Sequence, residues 1–168
     1  MLSNQKLLAH NPWALVANSL LKLGWTLATA ESCTGGMIAA ACTDLAGSST
    51  WFERGFVTYS NEAKAEMLGV DAALIAQYGA VSEQVAHAMV LGALTHSHAQ
   101  VALAVTGVAG PSGGSPDKPV GTVWFGWALP GLVLTEKCHF DGDRAAVRAS
   151  TAHHAVRKLW ELLAHNGA

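Results

Sequence analysis

Residues 28–36 read Ala-Thr-Ala-Glu-Ser-Cys-Thr-Gly-Gly. A short β-favouring run over 25–29 leads in, and an apolar helical run over 37–42 leads out. The pattern predicts a strand that turns sharply into a helix, with Ser32 at the tip of the turn. Such a turn exposes a side chain and aims backbone N–H groups at whatever sits above it. Ser32 is therefore a candidate nucleophile beside a candidate anion or oxyanion site.

Working outward, residues 12–23 have helical periodicity, with Leu15, Val16, Ser19, Leu20 and Leu23 on one face, Pro12 at the start and Gly24 at the end. A buried strand is expected over 26–30 and a small-residue helix over 35–45, closed by Ala46-Gly47. Residues 51–59 mix aromatic and β-branched side chains and predict a strand. Asn61 is placed to cap a helix running through 63–68, with Gly69 closing it. A short helix over 74–78 follows, then a long one capped by Ser82 and reaching about residue 97. The apolar run 101–105 suits a central parallel strand. A loop rich in Gly, Pro and Ser fills 107–119, and strands over 120–128 and 132–140 form a hairpin turning at Pro130-Gly131. Asp143 starts the last helix. Strands alternating with helices, followed by a hairpin, predict an α/β layered domain with a mixed sheet.

The 168 residues match the usual size of one domain, and no linker or repeat interrupts them. With 51% hydrophobic and 13% charged residues the chain can bury a sizeable core. A net charge of −2 and the lack of a basic block argue against nucleic-acid binding. The 3 cysteines, Cys33, Cys42 and Cys138, are no disulfide framework. No signal-like stretch opens the sequence, and its apolar runs are broken short of a membrane span, so a cytoplasmic protein is expected. Low charge also predicts self-association.

A serine hydroxyl needs a base. None of the 8 histidines falls in an obvious active-site loop. Lys64 does better: it follows the strand ending at Tyr59 and lies in the first turn of the next helix. The helix dipole and partial burial would lower its pKa. Tyr59 is placed to relay a proton or orient the lysine. If the strands over 26–30, 51–59 and 101–105 are parallel, the loops after them meet at the carboxyl edge of the sheet. Thr106, Gly107 and Gly110 then form a third wall. Each residue also has an ordinary reading: Ser32 as a helix cap, Cys33 as a small buried thiol rather than the nucleophile, Lys64 as a solvated helix residue. The glycine-rich loop lacks the register of a P-loop. His153-His154 and His96-x-His98 lack a carboxylate or cysteine nearby in sequence to complete a set, so no metal site is expected. Arg144 and Arg148, one turn apart, form either a solvated face or a phosphate clamp.

Several stretches together resemble the stand-alone nicotinamide-nucleotide amidohydrolases of the CinA C-terminal family. They are Thr-Ala-Glu-Ser-Cys-Thr-Gly-Gly at 29–36, Asp-Leu-Ala-Gly-Ser-Ser at 44–49, and Trp-Phe-Glu-Arg-Gly-Phe-Val-Thr-Tyr-Ser-Asn-Glu-Ala-Lys at 51–64. Tyr-Gly-Ala-Val-Ser at 78–82, Thr-Gly-Val-Ala-Gly-Pro-Ser-Gly-Gly at 106–114, Lys-Pro-Val-Gly-Thr-Val at 118–123 and Gly-Asp-Arg at 142–144 complete the set. The resemblance implies one three-layer α/β/α domain over 1–168, with a mixed, mostly parallel sheet. It implies hydrolysis of the carboxamide of nicotinamide mononucleotide, with Ser32 as nucleophile, Lys64 as base and Tyr59 as its partner. Backbone N–H groups of Cys33, Thr34, Gly35 and Gly36 would hold the oxyanion. Thr106, Gly107 and Gly110 would line the nucleotide pocket, and Arg144 would hold the phosphate. No metal or organic cofactor, no nucleic acid and no membrane is implied, and a homodimer is. The rival readings are a catalytically silent nucleotide-binding protein and an interaction protein linked to competence or damage.

Overall fold

Two periodicities build the architecture. Along the strands, side chains alternate between the two faces of one sheet; along the helices, an apolar stripe closes each face. The computed structural model describes residues 11–166. The reading of the first ten residues as free of a signal, and His10, lie outside the described residues. The elements are α1 (Pro12–Leu23), β1 (Leu27–Glu31), α2 (Met37–Thr43), a 3₁₀ turn (Ser48–Thr50), β2 (Phe52–Val57), α3 (Asn61–Leu68), α4 (Ala72–Tyr78), α5 (Glu83–Thr95), β3 (Val101–Gly107), β4 (Thr122–Leu129), β5 (Leu132–His139) and α6 (Arg144–Asn166).

The five strands lie in the order β2-β1-β3-β4-β5. β1 pairs in parallel with both β2 and β3, while β3–β4 and β4–β5 are antiparallel. Four strands therefore share one direction and β4 alone opposes them. Leu27, Val101, Leu103, Val105, Val123, Phe125 and Trp127 face α1, α2 and α6 across one core. Ala28, Ala30, Ala102, Ala104 and Ala128 face α3, α4 and α5 across the other. The second face is nearly all alanine, so α5 approaches closely. A Cβ on Gly126 would lie 2.9 Å from the Ala86 carbonyl oxygen. This is the three-layer α/β/α domain expected above. Among the described residues, no helix is long and apolar enough to cross a membrane.

Local chemistry accounts for the element ends. Asn11 caps α1 by accepting from the Trp13 N–H at 3.0 Å, and Gly24 ends it at φ 67°. Ser82 caps α5 as its sequence suggests. Several boundaries differ from expectation, among them β2, which ends at Val57 rather than Tyr59, and three have a plain local cause. α2 begins at Met37 rather than 35, because Gly35 and Gly36 sit at φ 60° and 103°, which belong to a turn. Ser60, not Asn61, caps α3, accepting from the Ala63 N–H at 3.0 Å. β4 begins at Thr122 because residues 119–122 form a turn around Gly121 at φ 95°.

The layers bring three loop ends together. The parallel strands β1, β2 and β3 all finish at one edge, and α3, which carries Lys64, is held there by α5. Gly92 of α5 makes that contact: a Cβ there would overlap the Leu68 carbonyl and lie 2.9 Å from Leu68 Cβ. Gly92→Ala is expected to lower unfolding stability by roughly 1–3 kcal/mol, read as a fall in the urea midpoint. An unchanged midpoint would contradict this packing.

Candidate active site

The turn after β1 is locked from beneath. Glu31, the last residue of β1, is fully buried, a costly place for a carboxyl unless its oxygens are bonded. It accepts from Thr34 Oγ1 at 2.7 Å, the Ile38 N–H at 2.8 Å and the Ala39 N–H at 3.0 Å. Two otherwise orphaned N–H groups of the first turn of α2 are thus satisfied by a side chain of the strand before it. Arg148 grips the same turn from α6, with Nε donating to the Cys33 carbonyl and Nη2 to the Thr34 carbonyl, both at 3.1 Å. The Ser32 N–H donates to the Val105 carbonyl at 3.1 Å, which ties the turn to β3. Ser32 is held between these fixed points.

Lys64 reaches it from the β2–α3 connection. Its side chain is 1% exposed, and Nζ lies 3.1 Å from Ser32 Oγ. Nζ also donates to the carbonyls of Thr58 at 2.9 Å, Tyr59 at 3.3 Å and Ser60 at 3.4 Å. No ion pair to Lys64 is present among the described residues. Burial therefore lowers its pKa below the ordinary lysine value, and only the Cys33 thiol opposes this. Loss of its proton leaves two N–H bonds for the carbonyls and a lone pair for the Ser32 hydroxyl.

The other expected residues sort themselves by position. Ser32, Cys33, Thr106, Gly107, Gly110 and Arg144 line one cleft of about 290 Å³ with Tyr59 and Lys64. Thr34, Gly35 and Gly36 do not line it; they shape the turn beneath. The Gly35 N–H is spent on the Ser32 carbonyl at 3.0 Å, so the turn's remaining donors are those of Cys33, Thr34 and Gly36. Burial, foremost, pushes the Cys33 thiol up to about 11, so it is a poor nucleophile at neutral pH. Thr106 donates its hydroxyl to the Ala80 carbonyl at 2.8 Å.

Tyr59 meets Lys64 only through its backbone carbonyl. Its side chain is 58% exposed and its hydroxyl accepts from Arg144 Nη2 at 2.9 Å, while Arg144 Nη1 donates to the Gly110 carbonyl at 2.8 Å. The two arginines paired in the sequence thus part company: Arg144 bridges two rim loops, and Arg148 supports the turn that carries Ser32. Lys64 and Arg144 are the cations of the cleft lining, which holds no carboxylate. Sequence reasoning missed the role of Glu31, the grip of Arg148 on the turn, and the place of Asn61 and Ser112 in the cleft lining. Glu31 left a signal: a lone charge ending a strand otherwise buried and uncharged.

In the sequence no carboxylate or cysteine completes a histidine set; in the structure Glu136 and Cys138 stand beside His154. Strand and helix bring them together across a distance in sequence that local spacing does not span.

Comparison with known proteins shows the family. Residues 10–163 match the CinA C-terminal domain family. The chain is 60% identical over 138 residues to a nicotinamide-nucleotide amidohydrolase PncC of Enterobacter agglomerans, covering 82% of this chain and 84% of that one. It is 53% identical over 152 residues to the protein of the same name from Escherichia coli K12, covering 90% and 92%. A crystal structure of a competence-damaged protein (CinA) superfamily protein from Klebsiella pneumoniae superposes with a TM-score of 0.89 at 44% identity, covering 93% of this chain and 98% of that one. The chain belongs to the CinA C-terminal domain family.

Proposed function

We propose that this protein hydrolyses the carboxamide of nicotinamide mononucleotide to nicotinic acid mononucleotide and ammonia. The observation that carries the reading is the 3.1 Å approach of a dry, unpaired lysine amine to Ser32 Oγ at the floor of a cleft. The relatives' names supply the substrate, and the rim cation Arg144 fits its phosphate.

In this reading Ser32 Oγ attacks the amide carbon and its proton passes to Lys64 Nζ. The tetrahedral oxyanion is met by the Cys33 N–H, the donor of this turn whose residue lines the cleft. Lys64 returns the proton to the departing nitrogen, the C–N bond breaks and ammonia leaves. Water then attacks the Ser32 ester with Lys64 again taking a proton, and the acid is released as Ser32 recovers its hydrogen. Tyr59 serves through its carbonyl, which helps seat Nζ, and through its hydroxyl, which seats Arg144. The three free cysteines fit a reducing cytoplasm, and a homodimer is part of the same proposal. Nothing in the cleft favours a silent binder, because the reacting pair is assembled.

Incubation with nicotinamide mononucleotide should release ammonia and nicotinic acid mononucleotide in equal amounts. Ser32→Ala should lower turnover on the order of 10⁴-fold or more while leaving the fold intact. Lys64→Arg should fail as well, because a guanidinium stays protonated. A folded protein that releases neither product, or a Ser32→Ala variant at the wild-type rate, would refute the reading.

Glu31 gives a separate test. Glu31→Gln puts an amide NH₂ where a carboxylate oxygen accepts, leaving one N–H of α2 opposed by a donor. Stability should fall by about 1–3 kcal/mol, and kcat should fall by up to about 10²-fold through the displaced turn. Wild-type stability and turnover together would show that the carboxylate does not position Ser32.

A further inference from the structure

Between β5 and α6, at residues that do not line the cleft, three side chains of different chemistry converge. Glu136 and Cys138 are two residues apart on β5, so they share the strand face that looks toward α6. His154 comes from the middle of α6. The three ligand-type atoms form an equal triangle: Cys138 Sγ to Glu136 Oε1, Cys138 Sγ to His154 Nε2, and His154 Nε2 to Glu136 Oε1 are each 3.5 Å.

That size is informative. Zinc lies about 2.0–2.3 Å from N, O and S ligands, so neighbouring ligand atoms of a tetrahedral site stand about 3.3–3.8 Å apart. The triangle is thus one face of such a site without rearrangement, and the fourth position is left for water. Two anionic ligands, the thiolate and the carboxylate, would neutralise a divalent ion. The mixed S, N, O set suits a borderline cation better than the oxygen-loving Mg²⁺ or Ca²⁺. Phe125, Phe140 and Trp127 surround the imidazole, with ring centroids 4.9, 5.9 and 6.2 Å from it, and fix its orientation. The side chains of His154 and Glu136 are 16% and 36% exposed, which leaves a path for an ion. The nearby cations Arg157 and Lys158 are drawn toward Glu161, at 3.6 and 3.7 Å.

We propose that Glu136, Cys138 and His154 form a site for a zinc-class divalent cation, which would tie the edge strand β5 to α6. On binding, the Cys138 thiol gives its proton to solvent and the thiolate takes its place on the metal. The site is separate from the catalytic pair, and α6 links the two: its first turns carry Arg144 and Arg148.

Chelator-treated protein titrated with Co²⁺ alone tests this. One equivalent should produce a thiolate-to-cobalt charge-transfer band in the near ultraviolet, and Zn²⁺ should displace it. Zn²⁺ should also raise Tm with concentration. In Cys138→Ser the band should vanish and affinity should fall by more than about 100-fold, beyond the loss typical of an outer-shell partner, while Cys33 and Cys42 remain. Amide hydrolysis by the metal-free variant should match the metal-free wild type. If Cys138→Ser does not fold, Glu136→Gln serves, with weakened Co²⁺ binding and the thiolate band retained at higher metal. Absence of the band and of any Tm rise at millimolar metal, or a band that persists unchanged in Cys138→Ser, would overturn the proposal.

Discussion

A lysine amine held out of water, with three backbone carbonyls and one serine hydroxyl as its company, sets the terms for the rest of this molecule. Lys64 is buried with no carboxylate to keep its charge, so the environment favours the neutral amine. Burying such a group is tolerable because the Thr58, Tyr59 and Ser60 carbonyls take its hydrogens. Those carbonyls belong to the chain as it leaves β2, so the strand end and the base are positioned by one contact set.

The Ser32 side of the cleft is fixed by a different exchange of hydrogen bonds. The first turn of α2 needs acceptors, and Glu31 needs donors; each satisfies the other inside the core. The consequence is that part of the helix N-terminus is committed to structure rather than to ligand. In the proposed reaction a donor for the oxyanion comes from the turn itself, where glycine at 35 and 36 allows positive φ and Arg148 holds the carbonyls of Cys33 and Thr34. Sheet order completes the arrangement, since the three parallel strands end side by side.

What could be read from the sequence follows from how local each cause is. The helix ends at Gly24 and Gly69, the cap at Ser82, the apolar run 101–105 and the strand–turn–helix around Ser32 are written in neighbouring residues. The three converging loops were legible because strand direction follows from helical crossovers. Partners distant in the chain were not. Tyr59 was matched to Lys64 by closeness in sequence, yet its hydroxyl meets Arg144, 85 residues away. Glu136 and Cys138 meet His154 only because β5 packs on α6, and no spacing rule announces that.

Direct titration of Lys64, by following its ¹³Cε resonance in the folded enzyme, bears most closely on the central claim. Burial predicts a midpoint below the ordinary 10.5. With the neutral amine as the proposed base, kcat/KM for the proposed mononucleotide substrate should rise with pH through that same midpoint. A Lys64 that titrates at 10.5 or above, or a rate indifferent to its titration, would contradict the account.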